Sequence, residues 1–144
     1  MTYDAVRRAT NAPVLVGHGE INIPEERIDR RVADGEELRV GAIRVTVLHT
    51  PGHTPGSISL HAGRALLSGD TLFDGGPGKT FARGDLEMLL QSIQARLLPL
   101  PDETLVLPGH GGNTNIGDSR RGYAEYLSHP KPAGFFGDVT WSRR

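Results

Sequence analysis

Cysteine is absent from the chain. That excludes disulfide bridges, cysteine–zinc sites and a cysteine nucleophile, and it suits a reducing cytosol. Excess charge is absent too: 16 Lys and Arg stand against 17 Asp and Glu, a formal net charge of −1. The balance gives no support for nucleic-acid binding or for a membrane-surface partner. No apolar run reaches membrane-spanning length, and the charged stretch 1–9 is followed by no apolar core of signal-peptide length. A cytoplasmic location is the expectation. Apolar residues make up 37% of the 144 positions, not counting 19 glycines, which is the composition of one globular domain.

The informative stretch runs from Thr50 to Asp70. Thr50-Pro51-Gly52-His53-Thr54-Pro55-Gly56-Ser57 brackets one histidine between two Pro-Gly steps. Proline fixes φ and glycine permits tight turns, so His53 sits on a rigid loop. Residues 57–61 and 64–68 read as two short strands around Ala62-Gly63, the second delivering Asp70 just past its end. A further strand at 104–107 runs into Pro108-Gly109-His110-Gly111-Gly112. His53, Asp70 and His110 are all metal-ligating residue types, and all are expected just outside strand ends, where α/β proteins place their chemistry. Each also has an ordinary reading. A histidine in a Pro-Gly loop is often a hydrogen-bonded turn residue, and Gly-Asp after a strand is a common turn signal.

The pattern resembles the metallo-β-lactamase-fold hydrolases, specifically their glyoxalase II-like (hydroxyacylglutathione hydrolase-like) branch. The matching segments are HTPGHTPGSISL at 49–60, LLSGDTLF at 66–73, GGPGKT at 75–80 and LPDETLVLPGHGGNTNIG at 100–117. The resemblance implies an αββα sandwich of two similar halves, of which 1–144 would hold the C-terminal half as a single truncated domain. It implies metal ligation by His53, Asp70 and His110, with Asp70 bridging two metals, and zinc as the metal with iron as the alternative. It places Lys79 where related thioesterases carry a basic residue near the substrate, and so names Asp70 and Lys79 as catalytic candidates. The implied activity is hydrolysis of a thioester of the S-acylglutathione kind, or of another anionic ester. The family's His-x-His-x-Asp-His motif, which supplies most metal ligands, does not occur in the chain. Two expectations follow. The three ligands either gather one ion or belong to a catalytically inactive half-domain, a dimeric structural or binding protein or a truncated remnant. The sheet face that the missing half would cover is left bare, and a homodimer covering it is the expected remedy.

Along the chain, 4–9 reads as a short helix closed by Pro13, 14–16 as a buried strand and Pro24-Glu25-Glu26 as a single helical turn. Strand candidates at 29–33 and 36–40 flank the Asp34-Gly35 turn. A stronger strand over 42–49 alternates Ile43, Val45 and Val47 with Arg44, Thr46 and Leu48. In the hairpin, Ile58 and Leu60 are expected to face the core. The best helix covers 85–98, with Asp85 as its N-cap and Leu86, Leu89, Leu90, Ile93 and Leu97 as its apolar stripe. Asp118 is expected to cap a last helix over 119–127, and the apolar tail at 135–141 to pack back on the domain or fill an interface. Short strands, antiparallel hairpins and one dominant helix give an α/β fold, a mixed and largely antiparallel sheet with helices on one face. Gly75-Gly76-Pro77-Gly78-Lys79-Thr80 lacks phosphate-loop spacing, so nucleotide binding is not expected. His61 and His129 read as surface residues, His49 as the end of a strand, and His18 as a spare histidine with no assigned role. Ser119 stands where the family pattern has a Glu.

Overall fold

The computed structural model describes residues 3–141. Helix α1 spans Tyr3–Thr10, and Asn11, with φ +52°, breaks it two residues before Pro13. Strand β1 is Leu15–Gly17, and a one-turn 3₁₀ helix at Glu25–Arg27 sits where Pro24 and the acidic pair predict it. Strands β2 (Arg30–Val32) and β3 (Glu37–Val40) flank the Asp34-Gly35 turn without pairing with each other. Instead β2 lies parallel to β1, and β3 joins β4 (Ile43–His49).

The main sheet continues through β5 (Ile58–Ala62) and β6 (Ala65–Gly69) to β9 (Leu105–Pro108) and β10 (Thr114–Asn115). Its six strands run in the order β10-β9-β6-β5-β4-β3, antiparallel except for the β6–β9 pair. Between β6 and the helices lies a small antiparallel pair, β7 (Leu72–Phe73) and β8 (Gly76–Pro77), inside what the sequence reads as an irregular glycine-rich loop. Helix α2 is Asp85–Ser92 and passes into a π turn over Ile93–Leu97, closed by the Leu98 N–H to the Ile93 carbonyl at 2.9 Å. Helix α3 is Ile116–Ser128.

Both helix starts differ from expectation. Gly84, in a left-handed conformation, caps α2, and the Asp85 carboxylate instead reaches back to the N–H groups of Phe81 and Ala82 at 3.3 and 2.7 Å. The α3 cap is Asn115, whose side-chain oxygen accepts from the Asp118 N–H at 2.8 Å, so the helix begins before Asp118 rather than at it. Ser119 is buried inside the first turn, and its hydroxyl donates to the Asn115 carbonyl.

Strand register sorts the sheet into two faces. Leu48, Ser59, Leu66 and Val106 share one face, because Leu48 pairs with Ser59 and Leu66 with Val106. Leu66 and Val106 pack there with Leu86, Leu89, Ile93, Leu97 and Ile116 from the helices, and with Tyr123, Tyr126 and Trp141. Burying each such aliphatic chain is worth about 1.5–3 kcal/mol, which makes this the main core. It also corrects the hairpin expectation. Ser59, not Ile58 or Leu60, is the fully buried residue of β5, and its hydroxyl finds the Thr50 hydroxyl at 3.1 Å, which in turn meets Thr71 at 3.1 Å. His61 is half-buried rather than on the surface, and its Nε2 has no hydrogen-bond partner among the described residues.

The opposite face carries Val45 and Val47 with Leu38, Leu60, Leu67, Leu105 and Leu107. β1 crosses it at Ile58. Elsewhere it is open: Val40 is 64% exposed, Ile43 58%, Leu67 46% and Leu105 44%. Helices therefore cover one side of the sheet, and an apolar stripe lies bare on the other. Among the described residues, no helix is long and apolar enough to cross a membrane.

Candidate metal centre

β4 is antiparallel to β5, β5 to β6, and β6 runs parallel to β9. The C-terminal ends of β4, β6 and β9 therefore leave the sheet at one edge. His53 follows β4, Asp70 follows β6, and His110 follows β9. The sheet thus brings together the three residues that the sequence singles out.

The loop carrying His53 is tied at several points. The Thr50 N–H donates to the Ser57 carbonyl at 2.9 Å, the Gly52 N–H to the Thr54 carbonyl at 3.2 Å, and the Ser92 hydroxyl of α2 to the Pro51 carbonyl at 2.8 Å. The His53 ring is oriented by its Nδ1, which lies 2.8 Å from the Lys79 carbonyl. A carbonyl can only accept, so Nδ1 carries a hydrogen, and in the neutral ring that leaves Nε2 with a lone pair. That is the orientation a metal-bound histidine takes when a backbone carbonyl holds its other nitrogen. Phe81 meets the same ring edge-on, centroids 5.4 Å apart.

Asp70 stands between the two histidines. Its Oδ2 lies 3.6 Å from His53 Nε2 and its Oδ1 3.8 Å from His110 Nε2. Both separations are too long for hydrogen bonds. They are close to the roughly 3.4 Å that two ligands keep around one tetrahedral zinc with bonds of about 2.1 Å. The Gly109 N–H ties the third loop to the Gly69 carbonyl at 2.8 Å, and Phe73 packs on the His110 ring, centroids 4.6 Å apart. His110 nevertheless remains largely exposed.

In kind, two imidazoles and a carboxylate suit zinc or iron. In number they do not close a site. Among the described residues, no group of three His, Cys, Asp or Glu side chains is gathered to hold one ion. Asp70 instead offers one oxygen to each histidine, giving two half-sets of two ligands. A catalytic zinc takes three protein ligands. These residues alone do not surround a metal, and no hydrolytic step follows from them alone.

A cavity of about 440 Å³ opens over this edge, lined by the three residues together with Phe73, Lys79 and Phe81. Lys79 projects its ammonium to within 3.7 Å of Asp138, both groups well exposed, a pairing worth about 0–1 kcal/mol. Its ammonium is thus free to meet an anion at little cost. The tail forms one wall through Asp138, Val139 and Thr140. It is pinned by the Trp141 N–H to the Gly75 carbonyl at 2.8 Å and by the Gly137 N–H to the Thr80 hydroxyl at 2.9 Å. Sequence reasoning expected the tail to pack back and did not foresee that it lines the site. It also missed Phe73, Phe81 and the role of the Lys79 carbonyl. The apolar run at 135–141 was a signal for the first. A backbone carbonyl leaves no signal in residue type.

The profile of the metallo-beta-lactamase superfamily matches residues 5–110. The chain belongs to that superfamily. As a member it is 45% identical over 91 residues to hydroxyacylglutathione hydrolase GloC of Haemophilus influenzae, covering 61% of this chain and 43% of that protein. It superposes on ETHE1 from Myxococcus xanthus with a TM-score of 0.71 at 39% identity, covering 82% of this chain and 53% of that one. It also superposes on TTHA1623, solved in a di-iron-bound form, with a TM-score of 0.62 at 30% identity, covering 82% and 67%. The chain spans about half the length of the curated relatives it matches. The α/β fold with its mixed sheet is that of the superfamily's solved structures.

Proposed function

We propose that the chain carries one half of a metal-dependent hydrolase site, for thioesters of the S-acylglutathione kind. The observation that carries the reading is the Asp70 carboxylate set between His53 and His110 with one oxygen toward each. A single carboxylate presented to two imidazoles is the arrangement expected of a ligand shared between two metal positions. Zinc, or iron in its place, would supply an acidic bound water and polarise the substrate carbonyl. The chain's own residues would do the rest. His53 and His110 donate one nitrogen to each position, and Asp70 one oxygen to each. Lys79 draws the anionic part of a thioester toward the cavity, where Phe73 and Phe81 exclude water from its sides. The similarity to hydroxyacylglutathione hydrolase GloC supports the substrate class.

A second reading has its own observation. The open stripe through Val40, Ile43, Leu67 and Leu105 favours a dimer that covers the face, in a protein that binds or supports rather than turns over substrate.

Elemental analysis separates the two, made on protein purified without added metal and passed through size exclusion with light scattering. About one to two zinc or iron per chain, reduced in His53→Ala and in His110→Ala, supports the hydrolase reading and justifies assays with S-acylglutathione. Metal far below that level in a well-folded dimer sinks it and leaves the second.

A further inference from the structure

Glu20 is a buried carboxylate that the proposed function does not use. Only 8% of the residue is exposed, yet it stands on the connection after β1, far in sequence from any strand end that carries a ligand. Its Oε1 accepts the N–H groups of Ile21 and Asn22 at 3.0 and 2.7 Å. Its Oε2 accepts the Thr54 hydroxyl at 2.8 Å. Thr54 is the residue after His53.

The contact is built from both sides. Gly17-His18-Gly19-Glu20 lies backbone to backbone against Pro55-Gly56. A Cβ on Gly56 would fall 2.2 Å from the Glu20 nitrogen, so only glycine permits this approach. Behind Glu20, Arg31 of β2 donates to the carbonyls of His18 and Glu20 at 3.2 and 2.9 Å, and Glu25 anchors its guanidinium at 2.7 Å. Beyond it, the Thr54 hydroxyl hydrogen goes to the carboxylate, so the Ser57 hydroxyl must donate to Thr54 across their 2.9 Å contact. Ser57 then accepts the Thr54 N–H at 3.0 Å. One chain of directed hydrogen bonds thus runs from β2 through Glu20 into the loop that carries His53.

We propose that Glu20 is a positioning residue: through Thr54 it fixes the His53 loop and, with it, the ring tautomer that keeps Nε2 open toward Asp70. The ring depends on the loop because its Nδ1 partner, the Lys79 carbonyl, lies on a separate segment. If the loop slides, that bond is lost. A neutral histidine released to water favours the hydrogen on Nε2, the nitrogen that must be bare to bind a metal. The proposal rests on the reading of His53 as a ligand, but its central readout needs neither metal nor turnover.

The test is the ring nitrogen spectrum of His53 in protein labelled with ¹⁵N-histidine, at a pH about two units above the ordinary histidine value. The signal is assigned by its loss in His53→Gln. Wild type is expected to show hydrogen on Nδ1 alone. Thr54→Val, which keeps the shape and deletes the hydroxyl, and Glu20→Gln, which replaces an acceptor by a donor, are each expected to move half or more of the population to the Nε2–H form. Sheet amide signals should stay in place, and zinc dissociation constants should rise about tenfold or more. Glu26→Gln, on the exposed 3₁₀ turn, should change nothing. If Glu20→Gln does not fold, Thr54→Val decides. An unchanged ring in Thr54→Val overturns the proposal, as does a wild-type ring carrying its hydrogen on Nε2. A wild-type protein that keeps the Nδ1–H ring, loses it in the variants and holds no zinc upholds the positioning role and sinks the hydrolase reading.

Discussion

Gly52→Ala is expected to damage the loop that carries His53, and its size can be worked out from two separate terms. Gly52 has φ +136°, a conformation that costs an L-residue about 1–2 kcal/mol. A Cβ there would also fall 2.4–2.6 Å from Cβ, Cα and N of Leu89, a fully buried residue in the middle of α2. Two of those atoms are helix backbone, so no rotamer change relieves the clash. Either the loop or the helix must move, and overpacking of this kind costs about 1–3 kcal/mol. The sum is about 2–5 kcal/mol, a large part of the 5–15 kcal/mol that holds a domain folded.

Gly63→Ala serves as a reference with positive φ and no clash. Gly63 also has positive φ, +60°, but nothing lies within 4 Å of where its Cβ would be. It should lose about 1–2 kcal/mol and no more. Urea unfolding of both variants, followed by circular dichroism, measures the difference. At roughly 3 °C per kcal/mol, Gly63→Ala should melt about 3–6 °C below wild type and Gly52→Ala about 6–15 °C below. A Gly52→Ala variant no less stable than Gly63→Ala refutes the claim that the His53 loop is wedged against the α2 backbone.

Ile93→Ala, at a fully buried position of the π turn, is expected to cost about 2–5 kcal/mol in the same unfolding assay. Acid titration of stability should expose Glu20: burial pushes its carboxyl up, but the Asn22 N–H, the Thr54 hydroxyl and the Ile21 N–H together hold it below the ordinary glutamate value. Its contribution is therefore present above about pH 4.3 and lost as pH falls through the lowered folded value; Asp29 and Glu36, also held low, destabilise both proteins in acid, so the stability gap between wild type and Glu20→Gln should narrow over that window. Leu67→Lys, on the open sheet face, is expected to shift a dimer to monomer in light scattering without unfolding it, and an unchanged mass would refute association through that face.

The sequence carried the sheet well because period-two patterning is local. Val45 and Val47 mark the inner positions of β4 whatever lies on top of them, and Asp70 and His110 follow strands that any register would end near the same residues. Burial of a polar residue is different. Ser59 sits in the core because Thr50, nine residues away, brings a hydroxyl to meet it, itself met by the Thr71 hydroxyl, and no window of β5 contains that information. The same holds for the helix caps. Asp85 and Asp118 are good cap residues, but Gly84 and Asn115 take those places because the chain arrives there in the conformation a cap needs; the Asp85 carboxylate accepts the Phe81 and Ala82 N–H groups instead, and that of Asp118 the Asn115 side-chain amide and the Arg121 guanidinium. Glu20 is the clearest case. Nothing in its neighbours, a glycine and an isoleucine, signals burial of this Glu until the β1 connection is laid against residues 54–56.

The one-sided placement of the three candidate ligands follows from the topology. All three candidate ligands leave the sheet at the same edge, from β4, β6 and β9, so they approach the centre from one direction. Ligands arriving from one side can give each metal position two contacts, one histidine and one shared carboxylate oxygen, but cannot surround it. On the proposed reading, closure takes donors from outside this edge, while Leu67 and Leu105 of β6 and β9 lie open on the sheet face. Water can fill such positions in part, at the expense of affinity. A protein segment can fill them while also covering the stripe, and the apolar area it removes from water adds to the metal's binding free energy. On the proposed reading, a segment that covers Val40, Ile43, Leu67 and Leu105 and also adds donors at the His53–Asp70–His110 edge tightens zinc, and zinc tightens its hold in return by the same factor. Light scattering over a zinc titration reads that linkage directly. Association that strengthens with zinc in wild type, but not in His53→Ala, is the expected result. Association indifferent to zinc would mean that the face and the metal edge are independent features of the fold.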